Sequence, residues 1–117
     1  MYEYKCIIER VVDGDTVDVS IDLGFGVWLH NERVRILGID APETRTRDLE
    51  EKAAGLDAKA FVAQLLPVGS EQVLISKAFE GKFGRILGDF SIYYPKEDRQ
   101  STLSEVMLLE GHATVYS

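Results

Sequence analysis

Cysteine, histidine and tryptophan are scarce in this chain of 117 residues, which holds one Cys, two His and one Trp. A single cysteine excludes an internal disulfide framework, and the apolar segment around Cys6 predicts a buried thiol. His30 and His112 lie too far apart to have the spacing of a zinc site. No apolar run approaches the roughly 20 residues that cross a bilayer, so no membrane partner is expected. The N-terminus lacks a secretory signal, which predicts a cytoplasmic protein, or a secreted one if the sequence is a mature fragment.

Basic residues are also few, because 13 Lys and Arg stand against 20 Asp and Glu, and the net charge is −7. This balance excludes a general nucleic-acid coat protein, which would carry a basic surface. It remains compatible with a metal-dependent enzyme that acts on phosphates, in which a cation and a local basic patch handle the substrate. The length predicts one domain, residues 1–117, with a single core.

The pattern of apolar residues predicts three strands, a helix, two strands and a short second helix. The clearest alternation lies between Val17 and Leu23, where apolar residues and Asp or Ser take turns. The predicted strands are 4–12, 17–23, 32–37, 72–79 and 85–93, and the predicted helices are 48–66 and 103–109. This order predicts a mainly β fold with α (α+β), a five-stranded OB-type barrel with one long and one short helix.

The first helix is predicted to begin at Asp48 or Leu49 and to be stopped by Pro67. Its buried stripe is predicted from helical spacing as Ala53, Leu56, Ala60 and Ala63, widened by Phe61 and Leu65. Gly55 inside this helix is expected to cost about 1 kcal/mol relative to Ala.

The connection Gly24–Asn31 is apolar, and Phe25 and Trp28 stand out in it. Two interpretations remain open. These side chains either fold back to cap the barrel, or they are exposed and stack on bases or mediate contact with a partner, including self-association.

The segment from Arg33 to Thr44 offers chemistry at the end of a predicted strand. Arg35 can grip phosphate oxygens, and Asp40 and Glu43 follow within a few residues. Pro42 makes this stretch a rigid loop, and clustered carboxylates suit a hard cation. Taken alone, the stretch is equally compatible with a solvated strand face followed by a charged turn.

Two further motifs, Asp13-Gly14-Asp15-Thr16 and Gly81-Lys82-Phe83-Gly84-Arg85, are ordinary turns when each is taken alone. In this order, and together with the Arg35–Thr44 segment, they resemble the staphylococcal nuclease family, also called thermonucleases. The resemblance runs over nearly the whole chain. It implies a calcium-dependent nuclease that hydrolyses phosphodiester bonds of DNA, and of RNA as well.

The resemblance also implies a role for each matching residue. Asp15, Asp40 and the carbonyl of Ala41 would ligate Ca2+, and Asp13 would brace that site from behind. Glu43 would position or deprotonate the attacking water, while Arg35 and Arg85 would stabilise the transition state. Substrate contacts would come from Lys82, Phe83 and Tyr116. Ala41 and Phe83 depart from the secreted staphylococcal enzyme, which has threonine and tyrosine at these places.

A different class of function stays open beside the enzyme. The same fold serves as a non-catalytic OB-type nucleic-acid- or protein-binding module, which the acidic composition and the apolar Phe25–Trp28 connection favour. The full set of Asp15, Arg35, Asp40, Glu43 and Arg85 favours the enzyme.

Overall fold

The protein is described here from a computed structural model that covers residues 2–80 and 84–116, with the backbone alone at Glu80. In chain order the elements are β1 (Tyr2–Asp13), β2 (Thr16–Asp22), β3 (Trp28–Ile36), β4 (Ile39–Asp40), α1 (Leu49–Leu65), β5 (Glu71–Glu80), β6 (Arg85–Tyr94), a 3-10 turn (Pro95–Glu97), β7 (Arg99–Thr102), α2 (Leu103–Leu109) and β8 (Thr114–Val115).

Five of these strands close into a barrel. The antiparallel order β3-β2-β1-β5-β6 is completed by a parallel pairing of β3 with β6, so that Val34 lies opposite Ile86. The sheet curls because bulges interrupt β1–β2, β2–β3 and β5–β6. The predicted α+β fold, an OB-type barrel with one long and one short helix, is therefore confirmed.

The core fills the barrel with the inward-facing residues of alternating strands. Val17, Val19 and Ile21 of β2 are buried against Cys6 and Ile8 of β1. The buried thiol predicted at Cys6 is confirmed. Burial raises the pKa of this thiol to about 11, which makes it an apolar filler and a poor nucleophile.

Helix α1 has the predicted bounds, but it turns a different face to the core. Asp48 caps it by accepting from the backbone N–H groups of Glu50 and Glu51 at 3.0 and 3.2 Å. The predicted stripe was wrong in Ala53, Leu56, Ala60 and Ala63, which are exposed. It was right in Phe61 and Leu65, which pack against the core, and the buried residues of the helix are Gly55, Ala58 and Val62. The helix has small or apolar residues on both faces, so spacing alone could not choose between them.

Helix α2 has the predicted bounds and begins after Thr102, whose hydroxyl accepts from the Glu105 N–H at 3.4 Å. Gly111 follows its end with φ +76°, and the His112 N–H closes the turn on the Met107 carbonyl at 2.9 Å. Neither helix in the part of the chain described has the length and apolarity needed to cross a bilayer.

The connection after β2 is shorter than predicted, because β3 already begins at Trp28. The turn is closed by two hydrogen bonds of 2.9 Å, from the Leu23 N–H to the Val27 carbonyl and from the Val27 N–H to the Gly24 carbonyl. Phe25 is 106% exposed and Trp28 is 38% exposed. The interpretation that these side chains cap the barrel is therefore wrong; they are exposed, and stacking on bases or contact with a partner stays a prediction.

Gly55 lets the loop that follows β4 press directly onto α1. A Cβ at this position would collide with the Glu43 carbonyl oxygen and would lie 2.7 Å from its carbonyl carbon. The glycine is thus required by a close approach of backbone to backbone, in addition to the cost of about 1 kcal/mol expected from helix propensity.

We predict that Gly55→Ala destabilises the protein by about 1–3 kcal/mol, because the new methyl group forces the loop and the helix apart. Helix propensity alone would give the opposite sign, a gain of about 1 kcal/mol. The matched control is Ala53→Gly on the exposed face of the same helix, which changes propensity without touching the loop. Urea unfolding of the three proteins measures both effects. A stabilised Gly55→Ala protein would contradict the close approach.

Candidate active site

Three of the predicted site residues, Asp15, Arg35 and Asp40, come together at one end of the barrel. The turn between β1 and β2 carries Asp15, and the adjacent strand end carries Arg35, which lies opposite Thr16 in the β2–β3 pairing. The Ile36 N–H donates to the Asp15 carbonyl at 2.8 Å, so the turn and the strand end are directly bonded. β4 then brings Asp40 to the same place.

Arg35 is the centre of this end of the barrel. Its Nη1 donates to the carbonyls of Ile36 and Ile39 at 2.7 and 2.9 Å, where the chain turns from β3 into β4. Its Nη2 lies 3.6 Å from the Asp15 carboxylate and 3.5 Å from that of Asp40. One nitrogen is therefore fully engaged in holding the backbone, while the other lies between two carboxylates without a short hydrogen bond to either.

Asp15 is buried and ties two segments together. Its Oδ2 accepts from the Ala41 N–H at 2.9 Å, and its Oδ1 accepts from the Thr16 hydroxyl at 2.9 Å. Gly14 makes this contact feasible, because a Cβ there would lie 2.9 Å from the Cβ atoms of both Ala41 and Ala58. The sequence predicts the carboxylate of this turn, and it gives no sign that the glycine lies against α1.

Asp40 and Tyr116 are placed by a short strand pair that the sequence did not predict. β4 pairs with β8, which sets Asp40 opposite Thr114, and the Tyr116 N–H donates to the Gly38 carbonyl at 3.0 Å. The Tyr116 ring then lies 5.8 Å from the Arg35 guanidinium carbon, within cation–π range. Two-residue strands carry no periodicity, so only the residue types around Thr114–Tyr116 could have hinted at this pair.

Glu43 lies on the exposed loop between β4 and α1. Within residues 2–80 and 84–116, no hydrogen bond or ion pair ties its side chain, whereas its backbone is packed on Gly55. The next residue anchors the loop, because the Thr44 hydroxyl donates to Asp13 Oδ1 at 2.7 Å. Asp13 therefore contacts the loop and not Asp15 or Asp40, so the bracing predicted for it would act through Thr44.

The remaining basic groups lie on the neighbouring strands. Arg85 begins β6 opposite Arg33, on the same face of the sheet as Arg35. Arg33 is committed to Asp18 by hydrogen bonds of 2.8 and 3.1 Å, which raise the pKa of its guanidinium. Lys82 and Phe83, predicted as substrate contacts, lie outside the described residues.

Oxygen atoms make up the donor set that a cation would meet here. Asp15 is almost buried and the Asp40 side chain is 59% exposed, so the pair faces solvent from one side. Among the described residues, no cluster of three or more His, Cys, Asp or Glu side chains could hold a metal. Two carboxylates completed by a carbonyl and waters fit Ca2+, which accepts irregular oxygen coordination, better than a metal that demands nitrogen or sulfur.

A closed barrel that gathers two carboxylates and an arginine at one end, beside a loop that carries a third carboxylate, defines a small OB-type protein with a charged candidate site. Residues 33–117 match the sequence model of the family described as staphylococcal nuclease homologue. This match covers most of the chain, and the protein belongs to that family.

Three curated relatives illustrate the likeness. The chain is 29% identical to "Micrococcal nuclease" of Shigella flexneri over 97% of its own length and 59% of that protein. It is 30% identical to "Thermonuclease" of Staphylococcus intermedius over 69% of its length and 45% of that protein. It is 29% identical to "Endonuclease YhcR" of Bacillus subtilis (strain 168) over 74% of its length and 7% of that protein. The chain thus spans less than two thirds of each of these relatives.

The Asp13–Thr44 bond gives a testable coupling between the first motif and the Glu43 loop. Asp13→Ala and Thr44→Val should each destabilise the protein, and the double variant should lose less than the sum because both remove the same bond. The expected coupling is about 0.5–1.5 kcal/mol, measured by urea unfolding of the four proteins. Fully additive effects would show that the bond holds nothing in place.

Proposed function

We propose that this protein is a calcium-dependent nuclease that hydrolyses phosphodiester bonds of DNA, and of RNA as well. The observation that carries the proposal is the position of Arg35 Nη2 between Asp15 and Asp40, beside the docked Glu43 loop. Membership of the staphylococcal nuclease homologue family supports it, as do relatives that are named as nucleases.

In this proposal Asp15, Asp40 and the Ala41 carbonyl hold the cation. When bound, Ca2+ polarises a phosphoryl oxygen and orients the attacking water. The Asp15 carboxylate also accepts from the Ala41 N–H, so Asp15 holds in place the residue whose carbonyl would be the third ligand. Asp13, through Thr44, keeps the loop of Glu43 beside this pair.

The arginines act on the negative charge that develops on the phosphoryl oxygens in the transition state. Arg35 is preorganised, because Nη1 is held on two backbone carbonyls, and Nη2, which has no short hydrogen bond to Asp15 or Asp40, would donate to a phosphoryl oxygen. Arg85 approaches from β6 on the same face. Glu43 is the group that takes or directs the proton of the water, and its exposed position lets it reach solvent. Lys82, Phe83 and Tyr116 are assigned to substrate binding.

The decisive measurement is hydrolysis of denatured DNA and of RNA, with calcium, with EDTA, and with magnesium in place of calcium. We expect activity with calcium alone, and a loss of about 10²–10⁴-fold in Glu43→Gln. Glu50→Gln, an exposed glutamate in the first turn of α1, is the matched control and should be fully active. Binding without hydrolysis under every condition would instead support the non-catalytic OB-type nucleic-acid- or protein-binding module.

Calcium should also stabilise the fold, because an ion that binds only the folded protein shifts unfolding by mass action. At a concentration of 100 times Kd the gain is about 2.7 kcal/mol, visible as a higher melting temperature. Asp40→Asn should abolish the shift, while Asp22→Asn, at the far end of the β2–β3 hairpin, should keep it. An unchanged melting temperature at millimolar calcium would rule out the metal assignment.

A further inference from the structure

The outer face of β1, β2 and β3 carries a pocket at the Trp28 end of the β2–β3 pairing, opposite the Arg35 end. It has a volume of about 270 Å3 and is lined by Ile7, Glu9, Ser20, Trp28 and His30, a set we call the Trp28 slot. None of these residues takes part in the candidate active site. The slot therefore calls for its own explanation.

One wall of the slot is aromatic. Trp28 and His30 are two residues apart on β3 and face the same side, with ring planes 11° apart and centroids at 6.5 Å. This spacing is at the loose end of the range for stacked rings, so neither ring covers the other completely. Trp28 is 38% exposed, and the two near-parallel faces remain available to a third flat ring.

The opposite side of the slot is polar. Ser20 is 4% exposed, and its hydroxyl donates to Glu9 Oε2 at 3.0 Å and lies 3.4 Å from His30 Nδ1. The Asn31 N–H also donates to this hydroxyl, at 3.4 Å. Ser20 thus fixes both the carboxylate and the imidazole, and Glu9 Oε1 remains as a further acceptor.

We propose that the Trp28 slot binds one nucleobase of a single-stranded nucleic acid. A flat apolar ring would stack on Trp28 and His30, which is the main source of affinity where sequence-tolerant proteins hold single strands. The Glu9 carboxylate would accept from an exocyclic amino group. A phosphate or an anionic membrane surface would be repelled by the same carboxylate, so the base and not the backbone is the group that fits.

This inference rests on the proposed function for its substrate class, and it defines the path that a bound strand would follow along the barrel. Trp28 is paired with Asp22 at one end of the β2–β3 hairpin, and Arg35 is paired with Thr16 at the other. About seven strand residues separate them, or roughly 20 Å. That span falls within the ~4–16 nucleotides that an OB fold covers, so only substrates longer than a few nucleotides would reach both places.

The slot also predicts a preference among bases. Cytosine and adenine present an exocyclic amino donor to Glu9, whereas thymine has no amino group and offers only its ring N3–H, flanked by two carbonyl oxygens that the carboxylate repels. We therefore expect single strands of dC or dA to bind several-fold more tightly than dT of the same length. Glu9→Gln offers both a donor and an acceptor, so it should remove the preference while leaving a group that Ser20 can still bond.

Trp28 is the single tryptophan of the chain, and its fluorescence reports directly on the slot. In EDTA, addition of a dC 12-mer should quench and blue-shift the emission. Fluorescence anisotropy of the labelled 12-mer should show binding roughly 5- to 100-fold weaker for Trp28→Ala. Trp28→Phe should retain part of the affinity. Tyr2→Ala, which removes an exposed aromatic residue from neighbouring β1, is the matched control and should bind normally.

Hydrolysis of bis(p-nitrophenyl) phosphate with calcium, measured separately, distinguishes the two proposals. One molecule of this substrate is too short to occupy the active site and the slot together, so Trp28→Ala should hydrolyse it normally. If Trp28 responds to the 12-mer but no variant hydrolyses either substrate, the slot stands and the nuclease proposal fails. The base-binding proposal is overturned if the 12-mer does not bind, or if it binds with no change in Trp28 emission. It is also overturned if Trp28→Ala slows hydrolysis of the small substrate as much as it weakens binding of the 12-mer. An emission that changes only with protein concentration would indicate self-association and would overturn it as well.

Discussion

The candidate site depends on one guanidinium group. Arg35 holds the carbonyls of Ile36 and Ile39 with one nitrogen and places the other beside Asp15 and Asp40. Without this cation, two carboxylates would be brought to the same end of the barrel with only their mutual repulsion between them. The group therefore has a structural task, the turn from β3 into β4, and a chemical one, the charge near the carboxylates. Its planar fork serves both at once, which a lysine could not do.

The rest of the site is assembled by close packing around this centre. At Gly14 and Gly55 neighbouring segments meet without room for a side chain, and both contacts involve the loop from Ala41 to Glu43. The hydrogen bond from Thr44 to Asp13 and the β4–β8 pair hold the same loop from other sides. The loop that carries Glu43 is thus fixed in its backbone, while its carboxylate is left exposed. Such an arrangement suits a group that must meet solvent without drifting.

The sequence predicts most of the barrel because its strands are long and alternate. The Val17–Leu23 pattern and the capping residues Asp48 and Thr102 gave elements that the structure confirms within a residue or two. The prediction of the buried face of α1 was wrong, because Ala and Leu residues occupy both faces of the helix. Which face is buried depends on Gly55 and on the loop that packs against it. β4, β7 and β8 were not predicted, since strands of two to four residues have too little pattern to recognise. The catalytic and metal-binding roles stay predictions for Asp15, Arg35, Asp40, Glu43 and Arg85. What the structure adds is that Arg35 lies close to Asp15 and Asp40.

The parallel pairing of β3 with β6 has a consequence for how the protein folds and unfolds. The hairpins β1–β2 and β5–β6 join neighbours in the chain, whereas this pairing joins strands about fifty residues apart and closes the barrel. Contacts of such long range, like those of β1 with β5, carry a larger entropic cost of closure than the hairpins do. Arg35 and Arg85 lie on the two strands that this step brings together. A chain that has formed its helices and hairpins but not the β3–β6 pairing would therefore contain every residue of the site without assembling the site. Activity would then report the closure of the barrel more faithfully than secondary-structure content does.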